Sequence, residues 1–178
     1  MSPRRKELLA GLDILFEIKT KEIEESYPTT LEAENVPVYL AEKKAKAFSN
    51  YLTENTIVIT ADTIVIQGTE ILEKPKSKQE AKAMLAKLSG KSHIVITGVC
   101  IQSNKKKIVF SDKTVVDFMV LTTDEISYYI EKYKPFDKAG SYGVQEWIGY
   151  VGIEQLQGSY YNVMGLPVHK VYKALKDF

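Results

Sequence analysis

Among its 178 residues the chain has one cysteine and two histidines. Cys100 has no second thiol to pair with, and it sits in the apolar, β-branched stretch 94–101, so it is expected to be a reduced core thiol. A cytoplasmic location follows as the default. His93 and His169 have no Cys or His at ligand spacing, which argues against a zinc site and against a Ser-His-Asp triad. There is no Gly-x-Gly-x-x-Gly. No apolar run approaches the ~18 residues of a membrane span, and no apolar stretch follows the charged Ser2-Pro3-Arg4-Arg5-Lys6 start, so neither a spanning helix nor a signal peptide is expected. An excess of one charge is lacking too. The 24 Lys and Arg nearly balance 23 Asp and Glu, unlike a protein that coats nucleic acid, although a small polyanion in a local basic cleft stays compatible. What is present, 44% hydrophobic and 26% charged residues, is enough apolar material for the core of one soluble domain.

The order of patterns reads as α/β. Ser2 as N-cap and Pro3 at the first helical position open a helix carrying Leu8, Leu9 and Leu12, ended by Gly11 or Asp13. Residues 14–20 alternate like a strand, and an acidic connection with Glu22, Glu24 and Glu25 closes at Tyr27-Pro28. An amphipathic helix is expected over 35–52. Two β-branched runs, 56–61 and 63–67, follow, then a turn at Gly68 and a short strand at Ile71-Leu72. Ser77 and Glu80 form a capping box for a helix over 77–88 that stops at Gly90. The stretches 92–103 and 107–121 predict a hairpin, 123–132 a third helix, the region near 150–156 a strand, and 168–175 a closing helix. With no internal repeat and no linker, a single domain with a central twisted mixed sheet is expected.

Gly90-Lys91-Ser92 looks like the end of a phosphate loop, but the glycine required five positions earlier is Leu85 and the order is helix then strand, so it reads as a helix stop. Four features carry more. Arg4 and Arg5 stand in the first turn of a helix, against its dipole, where a phosphate would give two cations a purpose and a solvated basic terminus is the plainer alternative. Asp62 interrupts a run that otherwise reads as a buried strand, so it needs a metal, a cation or a cleft edge. Lys74-Pro75-Lys76 is a stiffened basic loop, weak by itself. Finally, the glycines of Asp137-Lys138-Ala139-Gly140-Ser141-Tyr142-Gly143-Val144-Gln145 permit close backbone approach to a ligand. By themselves these fragments indicate a phosphate-bearing ligand, with or without a divalent cation.

Taken in order, Ser2-Pro3-Arg4-Arg5-x-x-Leu8-Leu9, the Lys44-Ala45 helix, Ala61-Asp62-Thr63, Glu73-Lys74-Pro75, Met84-Leu85-x-x-Leu88-Ser89-Gly90-x-x-His93, Asp137-Lys138-Ala139-Gly140-x-Tyr142-Gly143-x-Gln145 and Gly165-Leu166-Pro167 resemble the Maf family. The likeness covers nearly the whole chain. It implies a single Maf-like domain over 1–178 with the family's cleft between two lobes. It also implies hydrolysis of nucleoside triphosphates, dTTP and UTP or modified pyrimidine nucleotides, to the monophosphate and pyrophosphate, a house-cleaning role in nucleotide pools. In that reading Asp62 is the general base and Lys74 works beside it, and Glu25 and Asp62 hold Mg²⁺ or Mn²⁺. Ser2, Arg4, Arg5, Lys44, Lys74 and Lys138 meet the phosphates, and Arg4, Thr63 and Gln145 select the base. The implied partner is a free nucleotide, with no nucleic acid and no membrane, and the family suggests a homodimer.

Two departures from the pattern stand out. Glu146 takes the place of a common glycine, where its carboxylate either tunes nucleotide affinity or points to solvent. Members also usually open with a hydrophobic strand before the Ser-Pro-Arg-Arg motif, so a chain starting at Met1 is expected to lack that strand of the sheet. The competing readings are a non-catalytic or impaired nucleotide-binding regulator of cell division and septum formation, and a related purine-specific pyrophosphatase.

Overall fold

The computed structural model describes residues 2–178. Ser2 is extended and its Oγ accepts the Arg5 N–H, so α1 (Pro3–Ala10) begins where a hydroxyl cap and a proline place it, and Gly11 closes it. The expected strand over 14–20 does not form. Alternation makes a strand only when a neighbour supplies the ladder, and here Leu15 is fully exposed on an irregular segment that runs to the next helix. The single helix expected over 35–52 is broken into a 3₁₀ turn (Ala33–Asn35), α2 (Val36–Ala47) and a second 3₁₀ turn (Ser49–Tyr51).

The strand β1 (Val58–Gln67) runs straight through Asp62, and the Gly68 turn leads to β2 (Glu70–Leu72). Next come α3 (Lys78–Leu88), then β3 (Ser92–Gln102) and β4 (Lys107–Phe118), which form the expected hairpin, and α4 (Thr123–Tyr133). The cap of α3 differs from its sequence pattern by one residue. Ser77 accepts the Glu80 N–H as expected, but the Glu80 carboxylate accepts from the N–H of Lys76, not from that of Ser77. At α4 the box is complete, with Thr122 and Glu125 each satisfying the other's backbone. The region expected to be one strand near 150–156 is divided between α5 (Trp147–Gly152) and β5 (Ile153–Gln157), and α6 (Tyr160–Met164) and α7 (Val168–Leu175) complete the chain.

The five strands lie in the order β2-β1-β3-β4-β5. Val65 faces Leu72 at one edge and Val116 faces Leu156 at the other, both pairings antiparallel. The sheet is α/β in setting but antiparallel throughout, where a mixed sheet was expected. For two of the pairings the reason is local: tight connections join β1 to β2 and β3 to β4, and connections this short can only return a strand antiparallel. Among the described residues no helix is long and apolar enough to cross a membrane. The expected absence of a first strand concerns chain ahead of Ser2 and lies outside the described residues.

The fold divides into two compact units, Met1–Thr63 with Thr97–Asp112 and Gly165–Phe178, and Ile64–Ile96 with Lys113–Met164. In the first, Val36, Leu40, Ala41 and Ala45 of α2 are buried with Cys100, Ile101 and Val171. Gly98 sets how closely α2 lies on β3: a Cβ there would stand 2.3 Å from the Pro37 carbonyl carbon. Burial raises the Cys100 thiol to about 11, as suits an inert core thiol. In the second unit the core is Ile64, Ile66, Leu85, Leu88, Val95, Ile96, Val116, Tyr129 and Ile148, where each large aliphatic contributes ~1.5–3 kcal/mol by leaving water. His93 is held there edge-on to Phe118 and Tyr142, and its Nε2 hydrogen-bonds the Tyr142 hydroxyl at 2.7 Å. Burial pulls the His93 pKa down to about 4, partly offset by Asp117.

Candidate active site

The first unit gathers the acidic and basic residues that the sequence singled out around Asp62. Asp62 belongs to a strand whose neighbours Ala61, Ile64, Val65 and Ile66 are buried, and only 7% of it is exposed. A carboxylate in such a position needs a counter-charge, and Lys44 supplies it at 2.5 Å from Oδ1. The same ammonium lies 2.7 Å from Oε1 of Glu25. Lys44 therefore sits between two carboxylates contributed by an irregular segment and by a strand. Its own position is set by α2, which is fixed to β1 where the Thr60 hydroxyl donates to the Ala41 carbonyl at 2.7 Å.

Arg5 has a different place from the one its sequence position suggests. Its Nε donates to the Gly165 carbonyl at 2.7 Å, one terminal nitrogen to the Ala61 carbonyl at 2.8 Å, and the other to the Thr63 hydroxyl at 2.9 Å. The two residues flanking Asp62 are thus clamped by one guanidinium, and Thr63 is further tied to Thr97 at 2.9 Å. Burial lowers the Arg5 pKa, Asp62 opposes that, Arg4 adds to it and Glu25 opposes it, so these four charges feel one another. Arg4 is half-buried on the same helix, and Ser2 uses its hydroxyl as the cap.

The remaining candidates belong to the second unit. Lys74 is exposed, next to the buried Pro75. Lys138 is nearly buried and lies between Asp137 at 2.8 Å and Glu146 at 3.0 Å. Glu146 does not point to solvent: it pairs with Lys138 and its other oxygen accepts the Tyr129 hydroxyl. Gln145 presents a buried Oε1 that has no hydrogen-bond partner among the described residues. Tyr129 and the Gly165 carbonyl were invisible as site elements in the sequence, the first because it reads as one apolar position of an amphipathic helix, the second because a backbone oxygen leaves no composition signal.

Can this arrangement hold a divalent cation? Glu25 and Asp62 both offer a carboxylate oxygen within 2.7 Å of one positive charge, and hard oxygen donors of this kind suit Mg²⁺ or Mn²⁺. No cluster of three or more His, Cys, Asp and Glu side chains occurs among the described residues. Such a cation would complete its shell with water and phosphate oxygens, as Mg²⁺ commonly does beside one or two carboxylates.

The family described as Maf-like protein matches residues 1–178. The chain belongs to the Maf family. A relative from Porphyromonas gingivalis named dTTP/UTP pyrophosphatase is 54% identical over 180 residues, covering 99% of this chain and 90% of the relative. Proteins of the same name from Parabacteroides distasonis and Flavobacterium psychrophilum are 51% and 50% identical, covering 99% and 96% of this chain and 92% and 88% of their own lengths. Two of the segments on which the resemblance rests coincide with structural anchors: the Gly165-Leu166-Pro167 segment provides an Arg5 acceptor, and Ala61-Asp62-Thr63 is the stretch that Arg5 clamps.

Proposed function

We propose that this Maf protein hydrolyses the α–β anhydride of dTTP and UTP, and of modified pyrimidine triphosphates, releasing the nucleoside monophosphate and pyrophosphate. The observation that carries the reading is Asp62, a buried carboxylate fixed on both sides by Arg5 and oriented by Lys44, with a second carboxylate, Glu25, on the same ammonium. The names of the relatives, dTTP/UTP pyrophosphatase, support the substrate. Asp62 takes the proton of the attacking water, in the manner of a positioned general base. Lys44 orients it, and Arg4 and Lys74 meet the phosphates. Gln145, with an amide that both donates and accepts, reads the pyrimidine edge. Glu25 and Asp62 would hold a Mg²⁺ or Mn²⁺ ion, whose chemistry there would be to neutralise phosphate charge. On this reading the partner is a free nucleotide, not nucleic acid or membrane, and the enzyme is cytoplasmic. A homodimer belongs to the same proposal, and light scattering on the purified protein checks it.

The test is a panel of nucleoside triphosphates with Mg²⁺, in which dTTP and UTP release pyrophosphate and ITP and XTP do so far more slowly. Asp62→Asn, folded by its melting curve, loses at least ~100-fold in turnover, the scale of a lost general base. Tight nucleotide binding without turnover in several metals would instead favour the non-catalytic regulator.

A further inference from the structure

The segment that carries Gln145 is held by a network that the proposed chemistry does not use. Residues 143–146 form a turn in which the Glu146 N–H donates to the Gly143 carbonyl at 3.0 Å. One hydroxyl ties both ends of that turn. The Gly143 N–H donates to the Tyr129 oxygen at 3.0 Å, and the Tyr129 O–H donates to Oε2 of Glu146. Oε1 of Glu146 is in turn neutralised at 3.0 Å by Lys138, whose side chain is only 9% exposed. Gly143 makes the closure sterically feasible, because a Cβ there would stand 2.9 Å from the Glu146 carboxyl carbon and 3.2 Å from Nε2 of Gln145. On the other side of the loop, Tyr142 is pinned by His93 at 2.7 Å and the Gly140 N–H by the Glu73 carbonyl at 3.3 Å.

The Tyr129 hydroxyl, the Gly143 N–H, the Glu146 carboxylate and the Lys138 ammonium all have partners inside the unit, and the turn they immobilise carries an amide whose buried Oε1 has none among the described residues. An unpaired buried acceptor is costly unless something binds it, and a rigid backbone around it is how a recognition group is preorganised. From this we infer that Glu146, acting through Tyr129 and Lys138, is a positioning residue that presents the Gln145 amide to the nucleobase. The inference rests on the pyrimidine triphosphate reading and deepens it: Glu146 governs affinity for the base end of the substrate, whereas the phosphate end is handled by other residues.

The experiment compares steady-state kinetics of Glu146→Ala, Glu146→Gln and Tyr129→Phe with the wild type on dTTP and UTP, and measures inhibition by inorganic pyrophosphate, which has no base. Glu146→Ala is expected to raise KM for both nucleotides by roughly tenfold with kcat within about threefold, a split that locates the loss in binding. Glu146→Gln keeps an acceptor oxygen for Tyr129 and restores KM to within about threefold of wild type. Tyr129→Phe removes both hydrogen bonds and no carbon, so it gives the same split even if Glu146→Ala folds poorly. Inhibition by pyrophosphate stays unchanged in all three. KM within about twofold of wild type in Glu146→Ala and Tyr129→Phe would overturn the inference, as would a parallel loss of kcat and of pyrophosphate inhibition, the mark of general structural damage. A wild type that releases no pyrophosphate from dTTP or UTP would instead overturn the substrate reading, and the inference with it.

Discussion

Replacing Arg5 by Lys separates the two roles that an arginine at this position can have. In the structure its three hydrogen bonds, at 2.7, 2.8 and 2.9 Å, hold Gly165, Ala61 and Thr63. A lysine keeps the charge but is a point donor that can serve about one of those acceptors at a time. Two hydrogen bonds are then lost at ~0.5–1.5 kcal/mol each, and at least one half-buried carbonyl is left short of a donor at a further ~1 kcal/mol or more. The sum, about 3 kcal/mol, corresponds to a fall in Tm of roughly 6–12 °C for a chain of this size. Because Asp62 lies between the two residues that Arg5 clamps, kcat is expected to fall by roughly tenfold or more, while KM for dTTP moves less. Differential scanning calorimetry and pyrophosphate release measure both effects on one preparation. The opposite outcome would be an Arg5→Lys variant that melts within about 2 °C of wild type and whose defect is a raised KM for every triphosphate together with weaker inhibition by pyrophosphate. That result would make Arg5 a phosphate ligand, the role its place beside Arg4 first suggests.

Two further predictions concern the scaffold. Gly98→Ala forces α2 away from β3, because the new methyl would begin 2.3 Å from the Pro37 carbonyl carbon. Overpacking of this kind costs ~1–3 kcal/mol or more, so calorimetry should show a lower Tm, and turnover should fall with it because Lys44 rides on α2. Equal Tm and activity would contradict the close packing. His93, whose pKa is lowered from 6.5 to about 4, is neutral in the fold and binds a proton more readily once unfolded. Unfolded chains therefore bind more protons between pH 6.5 and 4, so stability that is fully present above pH 6.5 is lost as the pH falls through that window, by on the order of 3 kcal/mol. His93→Phe keeps the ring contacts and should flatten that part of the stability–pH curve. An unchanged slope would show that other groups set it.

Much of the fold was legible where local chemistry decides it. Ser2 and Ser77 cap the helices they precede, and the closing helix occupies 168–175 as its periodicity predicts. The pattern misled where a partner decides. The alternation over 14–20 has no ladder to join, and the apolar stretch near 150 is first a helix and then an edge strand opposite β4. The same division applies to the site. Asp62 was conspicuous because a carboxylate in a β-branched run needs a partner, and Lys44 is that partner. Arg5 and Lys138 were legible as cations but not as anchors, since their partners are backbone carbonyls and carboxylates brought near by folding. Tyr129 was hidden because a hydroxyl on the buried face of a helix looks like any other core aromatic until its two hydrogen bonds are seen.

The central claim is that this site cleaves one particular anhydride of a pyrimidine triphosphate. Phosphorus NMR of dTTP incubated with the purified protein and Mg²⁺ tests it most directly, since each product has its own resonance. dTMP and pyrophosphate are expected as the only first products, and neither is expected to form with Asp62→Asn. Formation of dTDP and orthophosphate, or an unchanged dTTP spectrum at high enzyme concentration, would contradict that claim.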